Sequence, residues 1–106
     1  MRLNALRYCG CQGYDACQAT GECVLKDDLT SGHQQLRESS LWVLAAPIYY
    51  DGVCGQMKLC FDRLRHFSVR KLTGRRAGLV FITYEDKERK DYAKLTRVLT
   101  RMRLAY

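Results

Sequence analysis

Two groups of residues in this 106-residue chain have types and spacings that can do chemistry. The first is rich in thiols. Cys9, Cys11, Cys17 and Cys23 follow one another as C-x-C-x5-C-x5-C in a glycine-containing stretch. Closely spaced thiolates hold zinc or an iron–sulfur cluster. This spacing matches neither the paired C-x2-C of zinc ribbons nor the common ferredoxin run. Two readings therefore stand side by side: a metal or cluster site, or a loop whose small thiols are simply packed. The second group is Pro47-Ile48-Tyr49-Tyr50-Asp51-Gly52-Val53-Cys54-Gly55, which lies between an apolar run and an amphipathic helix pattern. Aromatic rings beside bare glycine backbone suit a planar heteroaromatic ring. In an α/β sheet such a loop lies at the carboxyl end of a strand, where flat cofactors bind. The plain alternative is a pair of tyrosines at a loop edge and two glycines that make the turn.

The remaining reactive residues carry less. Cys60 falls beside the apolar face of its helix and reads as core, and Cys54 reads as a small loop residue. Lys58 and Asp62, four apart, read as a surface pair of small value. Asp27 and Asp28 read as helix caps rather than catalytic acids. His33 is expected on an exposed helix and His66 near a helix end. Neither has a Cys, Ser or carboxylate at motif spacing. No phosphate-binding P-loop, nucleophile elbow or zinc-protease motif is present.

The elements that must position these residues follow from hydrophobic periodicity. Residues 2–7 alternate weakly, as the end of a short strand, and residues 8–23 form the cysteine loop. A poorly amphipathic helix follows over 28–38, with Leu29 and Leu36 its main apolar positions. Residues 41–46, Leu-Trp-Val-Leu-Ala-Ala, are continuously apolar and fit a strand buried on both faces. A helix over 53–67 places Met57, Phe61, Leu64 and Phe67 on one face. After the turn Thr73-Gly74-Arg75-Arg76, residues 77–84 form a second buried strand, and Glu85 opens a last helix with Tyr92, Leu95, Leu99 and Met102 on its apolar stripe. Alternating strands and helices argue for right-handed crossovers, a parallel sheet and a single α/β domain over residues 1–106.

Lys and Arg outnumber Asp and Glu by 18 to 11, a net charge of +7. The basic excess lies in residues 63–103. It reads as a solvated helix face and a basic turn, with nucleic-acid binding the less favoured reading. No apolar run reaches membrane-spanning length and no secretory signal is visible, so no membrane partner and a cytoplasmic, reducing location are expected.

These motifs together resemble the flavodoxin-like NAD(P)H-dependent FMN reductases, in particular their iron–sulfur flavoprotein branch. The matching residues are Gly21-Glu22-Cys23 through Asp27-Asp28, Pro47-Ile48-Tyr49, and Gln56-Met57-Lys58 through Asp62-Arg63. The resemblance covers about residues 3–84. It implies FMN as cofactor, NAD(P)H as hydride source, and electron transfer to a quinone, another flavin or a metal centre. It also implies that Pro47, Ile48, Tyr49, Tyr50, Gly52 and Gly55, with Thr83 and Tyr84 from a second loop, contact the isoalloxazine ring. In the iron–sulfur branch the ligand pattern is C-x2-C-x2-C-x5-C. Aligned on Cys23, that pattern takes Cys17 and Cys11, but Tyr14 stands where another cysteine belongs. A [4Fe–4S] cluster would need Cys9 as its fourth ligand. The family's first strand and its Gly/Ser-rich phosphate loop have no counterpart here, nor has its last strand. The expectation is a partial flavodoxin-like domain whose sheet is completed by a homo-oligomer or a partner chain. The alternatives to a flavin reductase are an iron–sulfur flavoprotein electron carrier and a non-catalytic remnant that binds a partner chain or nucleic acid through its basic half.

Overall fold

Trp42, Ala46 and Ala77 build the floor of the core, and among the described residues helices are laid across them from one side. A computed structural model of the chain describes residues 1–50, 52–69, 72 and 74–82. The elements are a 3-10 turn η1 (Leu3–Ala5), a one-turn helix α1 (Cys17–Thr20), α2 (Leu29–Glu38), β1 (Leu41–Tyr49), β2 (Gly52–Val53), α3 (Gly55–Arg63), α4 (Arg65–Val69) and β3 (Arg76–Ile82). The sheet order is β2-β1-β3. β1 and β3 are parallel over seven residues, from Leu41↔Arg76 to Pro47↔Ile82, as the alternating pattern requires. β2 is a short antiparallel addition, with Ile48↔Val53 and Tyr49↔Gly52.

Five expectations change. Residues 3–5 form a 3-10 turn, not the end of a strand. Beyond it, Arg7 and Asp28 exchange contacts: the Arg7 N–H donates to the Asp28 carboxylate at 2.7 Å, and the Asp28 N–H donates back to the Arg7 carbonyl. A polar clamp of this kind holds the chain extended without a ladder.

The apolar run does not stop at Pro47, because β1 continues to Tyr49. Pro47 lacks an N–H, yet its main chain faces away from β3. Its carbonyl accepts from the Cys54 N–H at 3.2 Å, so no bond to β3 is lost.

β1 is also not buried on both faces. Trp42 and Ala46 are buried, while Leu41 and Val43 stand 52% and 64% exposed, joined by Val80 and Ile82 from β3. Among the described residues the helices pack on the Trp42 side alone. The last helix expected after residue 85 lies outside the described residues.

The helix expected over 53–67 is two. It breaks at Leu64, whose N–H closes a tight turn onto Phe61. In a continuous helix His66, nine residues after Met57, would point to the opposite side from it. The break lets Leu64, His66 and Phe67 all turn into the core.

The core then closes around aromatic rings. Trp42 meets Phe67 edge-on at 5.5 Å and donates its indole N–H to the Leu36 carbonyl at 2.8 Å. His33 was expected on an exposed surface, but it is buried. It continues the Leu29–Leu36 stripe at the i+4 position, so the helix itself carries it inward. Its ring lies 4.6 Å from that of His66.

Candidate functional site

The β1–α3 loop is a tight antiparallel turn. Tyr49 pairs with Gly52, and Tyr50 sits between them at φ 48°, in the left-handed region. A tyrosine held there costs free energy that ordinary folding does not demand, and such outliers concentrate at functional sites. Tyr49 is 63% exposed and Tyr50 wholly so, whereas Pro47 and Ile48 are half-buried beneath them. Gly55 opens α3 with no atom within 4 Å of where a Cβ would stand. At Gly52 the nearest is the Tyr49 carbonyl at 3.9 Å. Neither glycine is required by packing or by a positive φ. Both leave bare backbone facing open space beside two aromatic rings. The parallel pairing runs as far as Pro47↔Ile82 and β1 continues to Tyr49, so this loop stands at the carboxyl end of the parallel pair. Thr83 and Tyr84, the expected second loop, lie outside the described residues.

The residues at this loop fit the ring end of a flavin on these observations: stackable aromatic faces, unoccluded backbone, and the carboxyl-end position that open α/β sheets use for flat cofactors. Adding a side chain tests it. On the reading that a flavin ring lies against this loop, Gly55→Val should leave the fold intact, read by circular dichroism, and weaken flavin binding about tenfold.

A second cluster ties the cysteine loop to α3, and sequence reasoning missed its key residue. Arg63 is 2% exposed. Its guanidinium makes five hydrogen bonds and leaves no donor unused. Nη1 donates to Asp27 Oδ2 at 2.7 Å and to the Cys9 carbonyl at 2.9 Å. Nη2 donates to Asp27 Oδ1 and to the Leu25 carbonyl, each at 3.2 Å, and Nε donates to Cys23 Sγ at 3.1 Å. One side chain therefore fixes both ends of the loop. Burial alone would raise the Asp27 carboxyl. The Arg63 hydrogen bond, the Cys9 N–H, the Arg63 charge and the Leu29 N–H outweigh it and hold the carboxyl below its usual range. Burial works against the Arg63 charge too, and Asp27 and Cys23 more than compensate.

Asp27 has a second task. Its Oδ1 accepts from the Leu29 N–H at 3.2 Å, and its own N–H donates to Thr30 Oγ1 at 3.2 Å. This reciprocal arrangement starts α2. The capping role expected of Asp27 is thus present, while Asp28 is spent on Arg7. Further ties complete the seat. The Tyr8 hydroxyl donates to the Gln56 carbonyl at 2.7 Å, Arg65 pairs with Asp15 at 3.2 Å, and Gly10 lies so close to Leu59 that a Cβ would stand 2.7 Å from it.

The four loop thiols are all free. Cys9 and Cys11 are exposed, and Cys17 and Cys23 half-buried. Burial pushes the Cys17 thiol up. Arg65 opposes that, while Cys23, Asp15 and Cys11 are near enough to raise it further. The donors are chemically apt for iron, but among the described residues no three Cys, His, Asp or Glu side chains converge into a metal site. The fold brings the four thiols to one loop without assembling a cage. Tyr14 is exposed on the same loop. Cys60 is buried, as expected, with its thiol pushed up to about 11 by burial. Lys58 and Asp62 form the expected surface pair at 2.6 Å, of a kind worth about 0.3–0.5 kcal/mol.

The comparisons with known proteins decide the family. A model of the NADPH-dependent FMN reductases matches residues 4–102. The chain belongs to that family. Its fold is accordingly flavodoxin-like, with a three-stranded mixed sheet in the described part. Among curated proteins, this FMN reductase family member is similar to an iron–sulfur flavoprotein of Archaeoglobus fulgidus, 37% identical over 73 residues, which is 68% of this chain and 33% of the relative. It is also similar to an iron–sulfur flavoprotein of Methanocaldococcus jannaschii, 33% identical over 52% of this chain and 28% of the relative. A third, from Methanosarcina thermophila, is 32% identical over 50% of this chain and 28% of the relative. The chain thus spans about a third of the length of the curated relatives it matches. No solved structure matches it.

Proposed function

We propose that this chain supplies the ring-binding side of an FMN site in NAD(P)H-dependent oxidoreduction. The observation that carries the reading is the β1–α3 loop, where exposed Tyr49 and Tyr50 stand beside the open backbone of Gly52 and Gly55. Pro47 and Ile48 form the apolar seat, the tyrosines offer stacking faces, and Thr83 and Tyr84 are proposed to reach the same ring. Bound FMN would supply the hydride and electron chemistry. The loop residues bind and orient the ring and shield one face from water. No side chain here is assigned as a proton donor or acceptor. The hydride source would be NAD(P)H and the acceptor a quinone, another flavin or a metal centre.

Binding is tested by titrating FMN into the purified chain and following flavin fluorescence. Saturation in the micromolar range supports the reading, and unchanged fluorescence at about 100 μM opposes it.

A second reading, an iron–sulfur electron carrier, is favoured by the names of the relatives and by the four thiols on one loop. It would use Cys9, Cys11, Cys17 and Cys23. Anaerobic incubation with ferrous iron and sulfide, followed by desalting, reads it directly. Retained brown absorbance with stoichiometric iron supports a [4Fe–4S] cluster, and a colourless protein rules it out for this chain. Unpaired thiols favour a reducing, cytoplasmic setting. Among the described residues no helix is long and apolar enough to cross a membrane.

A further inference from the structure

Among the described residues three buried side-chain nitrogens have no hydrogen-bond partner: Nε2 of His33, Nε2 of His66 and Nε of Arg37. His33 and His66 are 5% and 1% exposed. Their ring centroids lie 4.6 Å apart where α2 meets α4. Arg37 follows His33 by one turn of α2, and its charge is felt at both rings. Phe67 walls the place on one side, its ring 4.2 Å from that of His66 and edge-on to that of His33 at 6.1 Å. In such apolar surroundings a polar atom is costly to bury unless something bonds it.

The three nitrogens differ in what they can take. Arg37 Nε–H only donates. His66 Nδ1 lies 2.9 Å from the Arg63 carbonyl, and a carbonyl only accepts, so Nδ1 carries the proton. In the neutral ring Nε2 is then a bare lone pair that only accepts. His33 Nε2 can play either part. A metal ion suits imidazole lone pairs but not a guanidinium N–H, and among the described residues no third Cys, His, Asp or Glu joins the two histidines. A bare anion such as chloride suits the guanidinium but not the lone pair of His66. A neutral group that both accepts and donates serves all three.

We infer that His33, His66 and Arg37 bind one water molecule in a closed site between α2 and α4. It accepts from Arg37 Nε, donates to His66 Nε2 and bonds His33 Nε2 as its third partner. Two hydrogen bonds of about 2.8 Å reach across up to about 5.6 Å, a span that suits rings 4.6 Å apart. Three partners are typical of an interior water. The water also completes a chain of bonds around the cysteine loop. Arg37 Nη1 donates to Glu22 at 3.3 Å, His66 holds the Arg63 carbonyl, and Arg63 Nε donates to Cys23 Sγ at 3.1 Å. Glu22 and Cys23 are adjacent in sequence, so the chain leaves the loop and returns to it at the same place, with the water as the link between Arg37 and His66. The inference is independent of flavin binding.

Nuclear magnetic resonance of the whole chain with isotope-labelled histidine reads the site at about pH 8, where both rings are neutral. Hδ2 and Hε1 of each ring flank Nε2. Both rings should show cross-relaxation with a water held longer than about a nanosecond, and the ring nitrogen shifts should place the His66 proton on Nδ1. Arg37→Met keeps both rings as reporters and removes one partner, so the water cross-peaks should fall about fivefold at both together. Glu22→Gln, which keeps an acceptor for Arg37, should leave them unchanged. Unchanged Trp42 emission shows that each variant is folded, and the unsubstituted chain gives the first test without any alteration. Four results would overturn the proposal. They are no long-lived water at either ring, a water at one ring alone, a neutral His66 with its proton on Nε2, and undiminished cross-peaks in Arg37→Met.

Discussion

Arg63→Met is expected to lower stability by about 3–5 kcal/mol, because it strands the Asp27 carboxylate in a half-buried site with its counter-charge gone. The loss has more than one component. Arg63 also satisfies the carbonyls of Cys9 and Leu25 and the thiol of Cys23, all of which the variant leaves short of a donor. Chemical denaturation with Trp42 emission as the probe reads the effect. Arg63→Lys should recover only part of it, since an ammonium has three donors in a compact cone and cannot fork across Asp27 while reaching two carbonyls. The double variant Arg63→Met/Asp27→Leu should be more stable than Arg63→Met, because the orphaned charge is removed with its partner. In every Arg63 variant the cysteine loop should lose its seat. Cys23 should then react with a thiol reagent at a rate approaching that of exposed Cys11. An Arg63→Met chain with full stability and a protected Cys23 would show that the clamp does not hold the loop.

Acidification from pH 7 to pH 5 is the second large effect, and it should destabilise the fold. Burial pushes His33 down to about 3 from an ordinary 6.5, helped by the nearby His66 and Arg63. Burial also lowers His66, against the pull of the Arg63 carbonyl on its Nδ1. Both imidazoles are neutral in the fold, and among the described residues the buried Nε2 of each has no hydrogen-bond partner. Below about pH 6.5 the unfolded chain takes up protons that the native state refuses. Stability is therefore complete above that pH and falls below it, until His33 itself titrates near 3. His33 alone should remove about 1–2 kcal/mol by pH 5, with His66 acting in the same direction. Asp27 joins only at lower pH, since its folded form holds the carboxyl ionised below the usual range. Denaturation midpoints across this interval check the slope, and His33→Phe should flatten it. A flat profile in the unsubstituted chain would contradict neutral, buried imidazoles.

Much of this was legible in the residues themselves. The parallel pair β1–β3 followed from two apolar runs separated by a helix pattern, and the sharp loop after β1 from the glycines that follow the first run. The coverage of the strands was not legible, because an unbroken apolar run says that a strand can be buried on two faces and not whether anything lies on the second. The break at Leu64 was hidden by a regular stripe through Met57, Phe61, Leu64 and Phe67, in which His66 is the only discordant residue. Arg63 illustrates the harder limit. Its partner Asp27 lies 36 positions away, and a carboxylate before a helix reads locally as a cap, which it also is. His33 was within reach, since Leu29, His33 and Leu36 share one helical face. Type alone had placed it outside.

The most direct test of the ring-side claim uses lumiflavin, which has the isoalloxazine ring and no phosphate. Its affinity for the chain, measured by fluorescence beside that of FMN, should lie within about threefold of it. Tyr49→Ala and Gly55→Val should weaken both ligands equally. Binding of FMN without lumiflavin, or binding indifferent to Tyr49 and Gly55, would contradict the account.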